Sequence, residues 1–182
     1  RATHRARRWA GLLLVLAVAL ALRLARLPEV LSAPDFAHPA VDAAFHDWWA
    51  RAVAGVDAGG GADQEAGRDP GLLERAYLRP PGYPLALAAV YALSGGSYLA
   101  PRIFQLLLGL ATAALVWLVL ERTFGGVAAI LGGLAIACHW LPIYFEGELQ
   151  TTAWTLVLLA AATAALASWF ARPRMSAAAA LG

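Results

Sequence analysis

The sequence predicts an all-α, polytopic integral membrane protein, with four transmembrane helices plus outer juxtamembrane helices in the first outer loop. Three observations lead there. Apolar residues make up 60% of the 182-residue chain, against roughly 45–50% in soluble domains. Charged residues amount to 14% and collect between apolar runs. Four runs approach or exceed the roughly 20 residues that a helix needs to cross the hydrocarbon core. The net charge of +2 does not point to nucleic acid, because the arginines sit at the ends of apolar runs, where membrane topology places them. Cys138 is the single cysteine, so no internal disulfide can form.

The chain opens on the basic stretch RATHRARR, followed by WAGLLLVLAVALALRLARL. The first span is placed at about residues 9–27, with a cytoplasmic N-terminus. Arg23 and Arg26 fall near its outer end, where long side chains are expected to snorkel toward water. A secretory signal peptide is the rival reading, but the apolar run exceeds an h-region of roughly 7–15 residues.

Residues 28–98 form the first outer loop and hold most of the acids. GVDAGGGADQEAG within it reads as a flexible linker. VDAAFHDWWARAV reads as an amphipathic helix at about 42–54, with Phe45, Trp48, Trp49, Ala52 and Val53 on one side and Asp42 and His46 one turn apart on another. Tryptophans on a short helix suit the headgroup layer. YLRPPGYPLALAAVYALSGG then sets a cation and a proline turn before an apolar run of about a dozen residues, the length of an interfacial or re-entrant segment. The run is expected to be a helix at about 84–94, with Pro84 in its first turn and the glycine pair Gly95 and Gly96 at its end.

Three further spans follow, at about 101–121, 127–145 and 153–170. The segments left on the cytoplasmic side, RATHRARR, ERTFGG and ARPR, each carry arginine, as the positive-inside rule asks. The loop 28–98 and the break FEGELQTT then lie outside together. GGVAAILGGLAIA is rich in small residues suited to close helix packing. The chain starts at Arg1 and ends on SAAAALG, and it reads as one piece of a longer protein.

On this topology Asp42 with His46, Arg79 in the proline turn, and Glu146 with Glu148 all fall on the outer side. Taken alone, Asp42 is either a helix N-cap or a functional carboxylate. Arg79 is either a loop cation or an anion ligand, and His46 either an interfacial side chain or a ligand. The paired acids of FEGEL at a membrane boundary raise a functional hypothesis, since carboxylates there need water or a cation.

The order of these features, from the basic first span through HPAVDAAFHDWWARAV, LRPPGYPLALAAVYALSGG and RIFQLLLGLATAALVWLVLERTFGG to IYFEGEL, resembles the GT-C membrane glycosyltransferases. The nearest branch is that of the protein O-mannosyltransferases and lipid A aminoarabinose transferases. The resemblance implies the N-terminal portion of an inverting enzyme that moves a sugar from a polyprenyl-phosphate donor to a protein, lipid or glycan acceptor. It also implies an outer-face reaction in a bacterial inner or plasma membrane, and a fragment inactive by itself. It assigns Asp42 as the catalytic carboxylate and Arg79 as the donor-phosphate ligand, and leaves His46, Glu146 and Glu148 as candidates for a substrate or cation site. No cofactor is assigned, and a divalent metal is left open: Ala43 follows Asp42 where relatives often have Glu, Leu78 stands where some have a metal-binding acid, and Thr151, Thr152 and Ala153 stand where relatives often carry a further acid. The alternatives are a transporter or channel subunit, or a non-catalytic membrane scaffold.

Overall fold

The computed structural model describes residues 2–56 and 80–170. Among these residues there are seven helices and no strand: α1 Ala2–Ser32, α2 Val41–Ala54, α3 Gly82–Ser94, α4 Leu99–Thr123, α5 Gly126–Ala137, α6 Trp140–Gly147 and α7 Thr152–Phe170. The all-α polytopic architecture expected from composition is the one observed. The expected linker through GVDAGGGADQEAG lies outside the described residues, apart from its first two.

Three stretches are long and apolar enough to cross a membrane: Arg8–Ser32 within α1, Leu99–Thr123 and Thr152–Phe170. The pair α5 and α6 adds a fourth when counted together, but it is bent by 45°. The expected span at about 127–145 is therefore broken rather than continuous, and the sequence supplies the cause. Pro142 has no N–H, and in an unbroken helix its ring would press on the carbonyl four residues back, that of Cys138. The chain breaks at Cys138 and His139. His139 then starts α6 as its N-cap, with Nδ1 accepting from the Leu141 N–H at 3.3 Å.

Between α3 and α4 the chain does not run on as one helix. Gly95 and Gly96 take φ of 65° and 82°, left-handed values that glycine adopts without a Cβ clash. The Gly96 N–H closes the helix end by bonding the Tyr91 carbonyl at 3.0 Å. α4 restarts at Leu99, with Pro101 in its first turn, where a missing N–H is harmless.

α4 is the central element and packs against α1, α3, α5, α6 and α7. Its main core joins Ala113 and Trp117 to Val15 and Ala19 of α1 and to Ala129 and Ala137 of α5. Small residues permit the close approach. A Cβ on Gly133 would stand 2.9 Å from a Val15 methyl. Large apolar side chains point outward instead, among them Leu13, Leu107, Leu131, Leu159 and Trp169, the pattern of helices solvated by lipid.

A second core pairs α2 with α3 through Ala50, Tyr83, Leu87, Ala88 and Tyr91. The face that α2 buries is not its aromatic one. Ala43, Ala44, His46, Asp47, Ala50 and Arg51 are buried, while Phe45, Trp48 and Trp49 stay half-buried. A polar network overrides simple amphipathicity here. Asp47 accepts from Arg51 Nε at 3.0 Å and from the Tyr91 hydroxyl. Arg51 lies over the Tyr91 and Tyr98 rings and donates to the Gly96 carbonyl at 2.9 Å.

The bundle thus has two unlike ends. One carries α2, α3 and the start of α4. At the other, Arg8 pairs with Glu121, and Arg122 donates to Ser168 Oγ at 3.3 Å.

Candidate functional site

Polar side chains gather where the end of α1, the first turns of α4 and the end of α6 meet. Arg23, Arg26 and Glu29 are spaced by three along α1 and so share a face. Arg102, Gln105 and Gly109, spaced by three and four, share a face of α4. These two faces oppose each other, and α6 closes the gap between them.

Arg102 is 6% exposed. It donates from Nη1 to the Tyr98 carbonyl at 2.7 Å and from Nη2 to the Phe36 carbonyl at 2.8 Å, and its guanidinium lies 4.4 Å from the Phe36 ring centre. The loop after α1 is thereby tied to the head of α4. Arg26 pairs with Glu29 at 3.0 Å and lies about 5 Å from both the Trp140 and Tyr144 rings. The Nε atoms of Arg26 and Arg102 are buried with no hydrogen-bond partner among the described residues. Buried guanidinium donors of this kind call for a water or a ligand oxygen.

Both arginines line a polar cavity of about 80 Å³, together with Glu29, Asp35, Phe36 and Glu148. That volume holds a few waters or one small polar group. A smaller cavity of about 30 Å³ shares the Arg26, Val30, Arg102 and Gly147 walls and reaches Arg23 and Glu146. Burial lifts the Glu148 carboxyl above the ordinary range, and the neighbouring Asp35 lifts it further, while Arg102 and Arg26 oppose the rise. A larger space of about 290 Å³ lies apart, lined mainly by apolar residues of α4, α5 and α7.

The five site residues expected from sequence fare differently. Glu148 faces the polar cavity. Glu146 does not face open water: its carboxylate is held by Arg23 through two parallel bonds of 2.6 Å, Nε to Oε2 and Nη2 to Oε1. Arg23 therefore does not snorkel. It turns inward and is buried, because Glu146 gives it a charge partner inside the bundle.

His46 is buried, with its ring edge-on to Tyr83 at 5.1 Å. The Tyr83 hydroxyl donates to Gln105 Oε1 at 3.2 Å, and Gln105 Nε2 donates to the Glu146 and Glu148 carbonyls at 3.3 and 2.6 Å. This chain of contacts ties α2 and α3 to the end of α6. Asp42 is half-buried in the first turn of α2. The N-cap position is Ala40, and no side chain caps the helix. Just before Asp42, Val41 has φ of 54°, an outlier for a β-branched residue. Arg79 lies outside the described residues.

Sequence reading missed Arg102, Gln105 and Asp35, and it gave Arg23 the wrong task. For Arg102 and Gln105 the signal was the three-residue spacing of polar side chains within an apolar helix. Among the described residues no group of three or more His, Cys, Asp or Glu side chains is placed to hold a metal ion.

An apolar helical bundle with three to four candidate membrane spans and a polar, partly charged cavity at one end defines a class, the multi-span membrane proteins. The family model described as dolichyl-phosphate-mannose-protein mannosyltransferase matches residues 78–182, more than half of the sequence, and the chain belongs to that family. Membership makes it a membrane glycosyltransferase of GT-C type that works with a lipid-linked sugar donor. The match begins just ahead of Arg79 and takes in α3 to α7, while α1 and α2 precede it. No curated protein and no solved structure matches the chain.

Proposed function

We propose that the protein forms the N-terminal part of an inverting enzyme that transfers a sugar from a polyprenyl-phosphate donor to an acceptor hydroxyl on the outer face of the membrane. The observation that carries this reading is the family match across residues 78–182. The polar cavity at the end that bears α2 and α3 supports it. Arg8 and Arg122 sit at the opposite end, and the preference of cytoplasmic segments for arginine supports an outer location for α2, α3 and the cavity.

The chemistry assigns the roles. An acceptor hydroxyl is a weak nucleophile and needs a base within hydrogen-bond reach as the anomeric carbon opens. Asp42 takes that part, entering α2 behind the strained backbone of Val41. Strain of that kind is held at about 1–3 kcal/mol and concentrates at working sites. The leaving group is a phosphate, and Arg79 in the proline turn is its ligand, since a guanidinium can grip two phosphate oxygens at once. The donor's tail stays in the bilayer, so its phosphate sits at headgroup depth, beside α2 and α3 lying in the interface. Glu148 and His46 border the same region. Glu146, already paired, serves the frame.

The test is Asp42→Asn in the full-length enzyme. Loss of a general base lowers transfer by about 10²–10⁴-fold, while expression and folding persist. Normal turnover by this variant would remove Asp42 from the mechanism. A second reading, a transporter subunit, draws on the break between α5 and α6, since interrupted helices build many solute sites. Solute uptake into vesicles carrying the full-length protein, with no sugar transfer, would favour it.

A further inference from the structure

Arg23 performs three tasks at once. It holds both Glu146 oxygens at 2.6 Å. It donates from Nη1 to the Ala19 carbonyl of its own helix at 3.0 Å. It also reaches the Ala137 carbonyl at 3.5 Å. Ala137 is the last residue of α5, and in an unbroken helix its carbonyl would accept from the Leu141 N–H. That N–H is taken by His139 Nδ1. The break thus leaves a carbonyl that lipid cannot satisfy, at the negative end of the α5 dipole, where a cation is favoured.

α5 has twelve residues, about 18 Å at 1.5 Å each, so the break lies well inside a core of about 30 Å. α4 is shaped to admit the pair. A Cβ at Gly109 would overlap the Glu146 carboxylate and stand 2.8 Å from Arg23 Nη2. Beyond Glu146, Gly147 and Glu148 form the wall of the polar cavity, and Gln105 holds the carbonyls of Glu146 and Glu148 from the side.

We propose that Arg23 is a positioning residue for the outer site. It pins the broken third span by gripping the end of α5 and the carboxylate of α6 together, with Gly109 leaving the room, and so fixes where Gly147 and Glu148 meet α1 and α4. The proposal rests on the reading of the cavity as part of the transfer site, and its test is arranged so that the two can fail separately.

The experiment compares three variants of the full-length protein in detergent or nanodiscs by hydrogen exchange. Arg23→Leu/Glu146→Leu removes both charges together, which leaves no stranded ion and can preserve stability. Gly109→Ala keeps both charges but displaces them. Gly132→Ala is the control, since its Cβ would meet only the flexible Leu120 side chain. The expected result is faster exchange, by about tenfold or more, confined to residues 138–148 in the first two variants. α2, α3 and the control stay at the level of the parent.

Unchanged exchange at 138–148 in the double variant overturns the proposal. So does faster exchange spread evenly over all the helices, which would mark a general stability role. A double variant that does not fold leaves the decision to Gly109→Ala, under the same two criteria. In a transfer assay with a polyprenyl-phosphate sugar, the double variant is expected to lose about tenfold or more in kcat/KM. Local loosening at 138–148 with full transfer activity would overturn the positioning of the site. A parent protein with no transfer activity would instead defeat the functional reading, while the exchange result would still decide whether Arg23 pins the break.

Discussion

At the end of the bundle that carries α2 and α3, charged side chains are buried and meet across helices distant in sequence. At the opposite end the Arg8–Glu121 pair also joins distant helices, but its arginine is half exposed. Arg23 and Glu146 are 4% and 5% exposed, whereas the Arg8 side chain is 51% exposed against Glu121. The same residue types therefore do different physical work. Lipid and protein around Arg23 offer no alternative hydration, so the pair is retained only with both partners present and well aligned. Water and headgroups around Arg8 compete with its carboxylate, so little depends on the pair. A reacting polar group needs the first kind of surroundings, because electrostatic interactions weaken as water enters.

The largest expected effect breaks the comparison on its buried side. Glu146→Leu alone would strand the Arg23 guanidinium in an apolar setting. Breaking a buried pair from one side costs about 3–5 kcal/mol, a large share of the 5–15 kcal/mol that holds a typical domain together. Thermal or denaturant unfolding in a mild detergent would measure it. A loss below about 1 kcal/mol would place this pair with the exposed one and erase the distinction between the two ends.

A smaller effect concerns pH. The folded-state pKa of Glu148 is raised by burial and by Asp35, against Arg102 and Arg26. Between the ordinary value of 4.5 and the raised one, the folded chain binds more protons than the unfolded chain. Stability contributed at this position is then fully present below the ordinary value and falls as pH rises through the folded one. Glu148→Gln should flatten that fall. Melting curves over about pH 4 to 7 test it, and an unchanged slope in the variant would locate the pH dependence elsewhere. The partial exposure of Glu148 keeps the effect modest, because solvent screens it.

How far the sequence reveals this arrangement differs between the two ends. The spans, the basic ends and the helices around Asp42 and Pro84 follow from run length, arginine placement and proline and glycine positions, all of them local signals. The buried side is less legible. Arg23 and Glu146 are 123 positions apart, and no local pattern says that an arginine near a helix end will turn inward rather than snorkel. Pro142 did announce the break, through the carbonyl it would press upon, but the apolar run on both sides reads as one span. The face that α2 turns to its neighbours is not legible in advance, because Asp47 and Arg51 satisfy each other and bury as a pair, which a hydrophobic pattern cannot register. Gln105 and Arg102 were readable from their three-residue spacing in an apolar helix, a signal that gains meaning only when a facing helix carries the same spacing.

The smallest expected effect sharpens the comparison from the exposed side. Arg8→Ala removes the Arg8 partner of Glu121 where half of the arginine side chain already meets solvent. Exposed pairs contribute about 0–1 kcal/mol, and salt near physiological strength screens them over roughly 8 Å. The variant should therefore unfold within about 1 kcal/mol of the parent, and the difference should shrink further as salt is added. A larger consequence is expected in topology instead, since on the proposed orientation Arg8 belongs to the basic segment that keeps the N-terminus inside. Measuring stability at low and high salt separates these roles. A salt-independent loss of several kcal/mol would mean that Glu121, itself only 9% exposed, behaves like Glu146, and that both ends of the bundle bury charge in the same way.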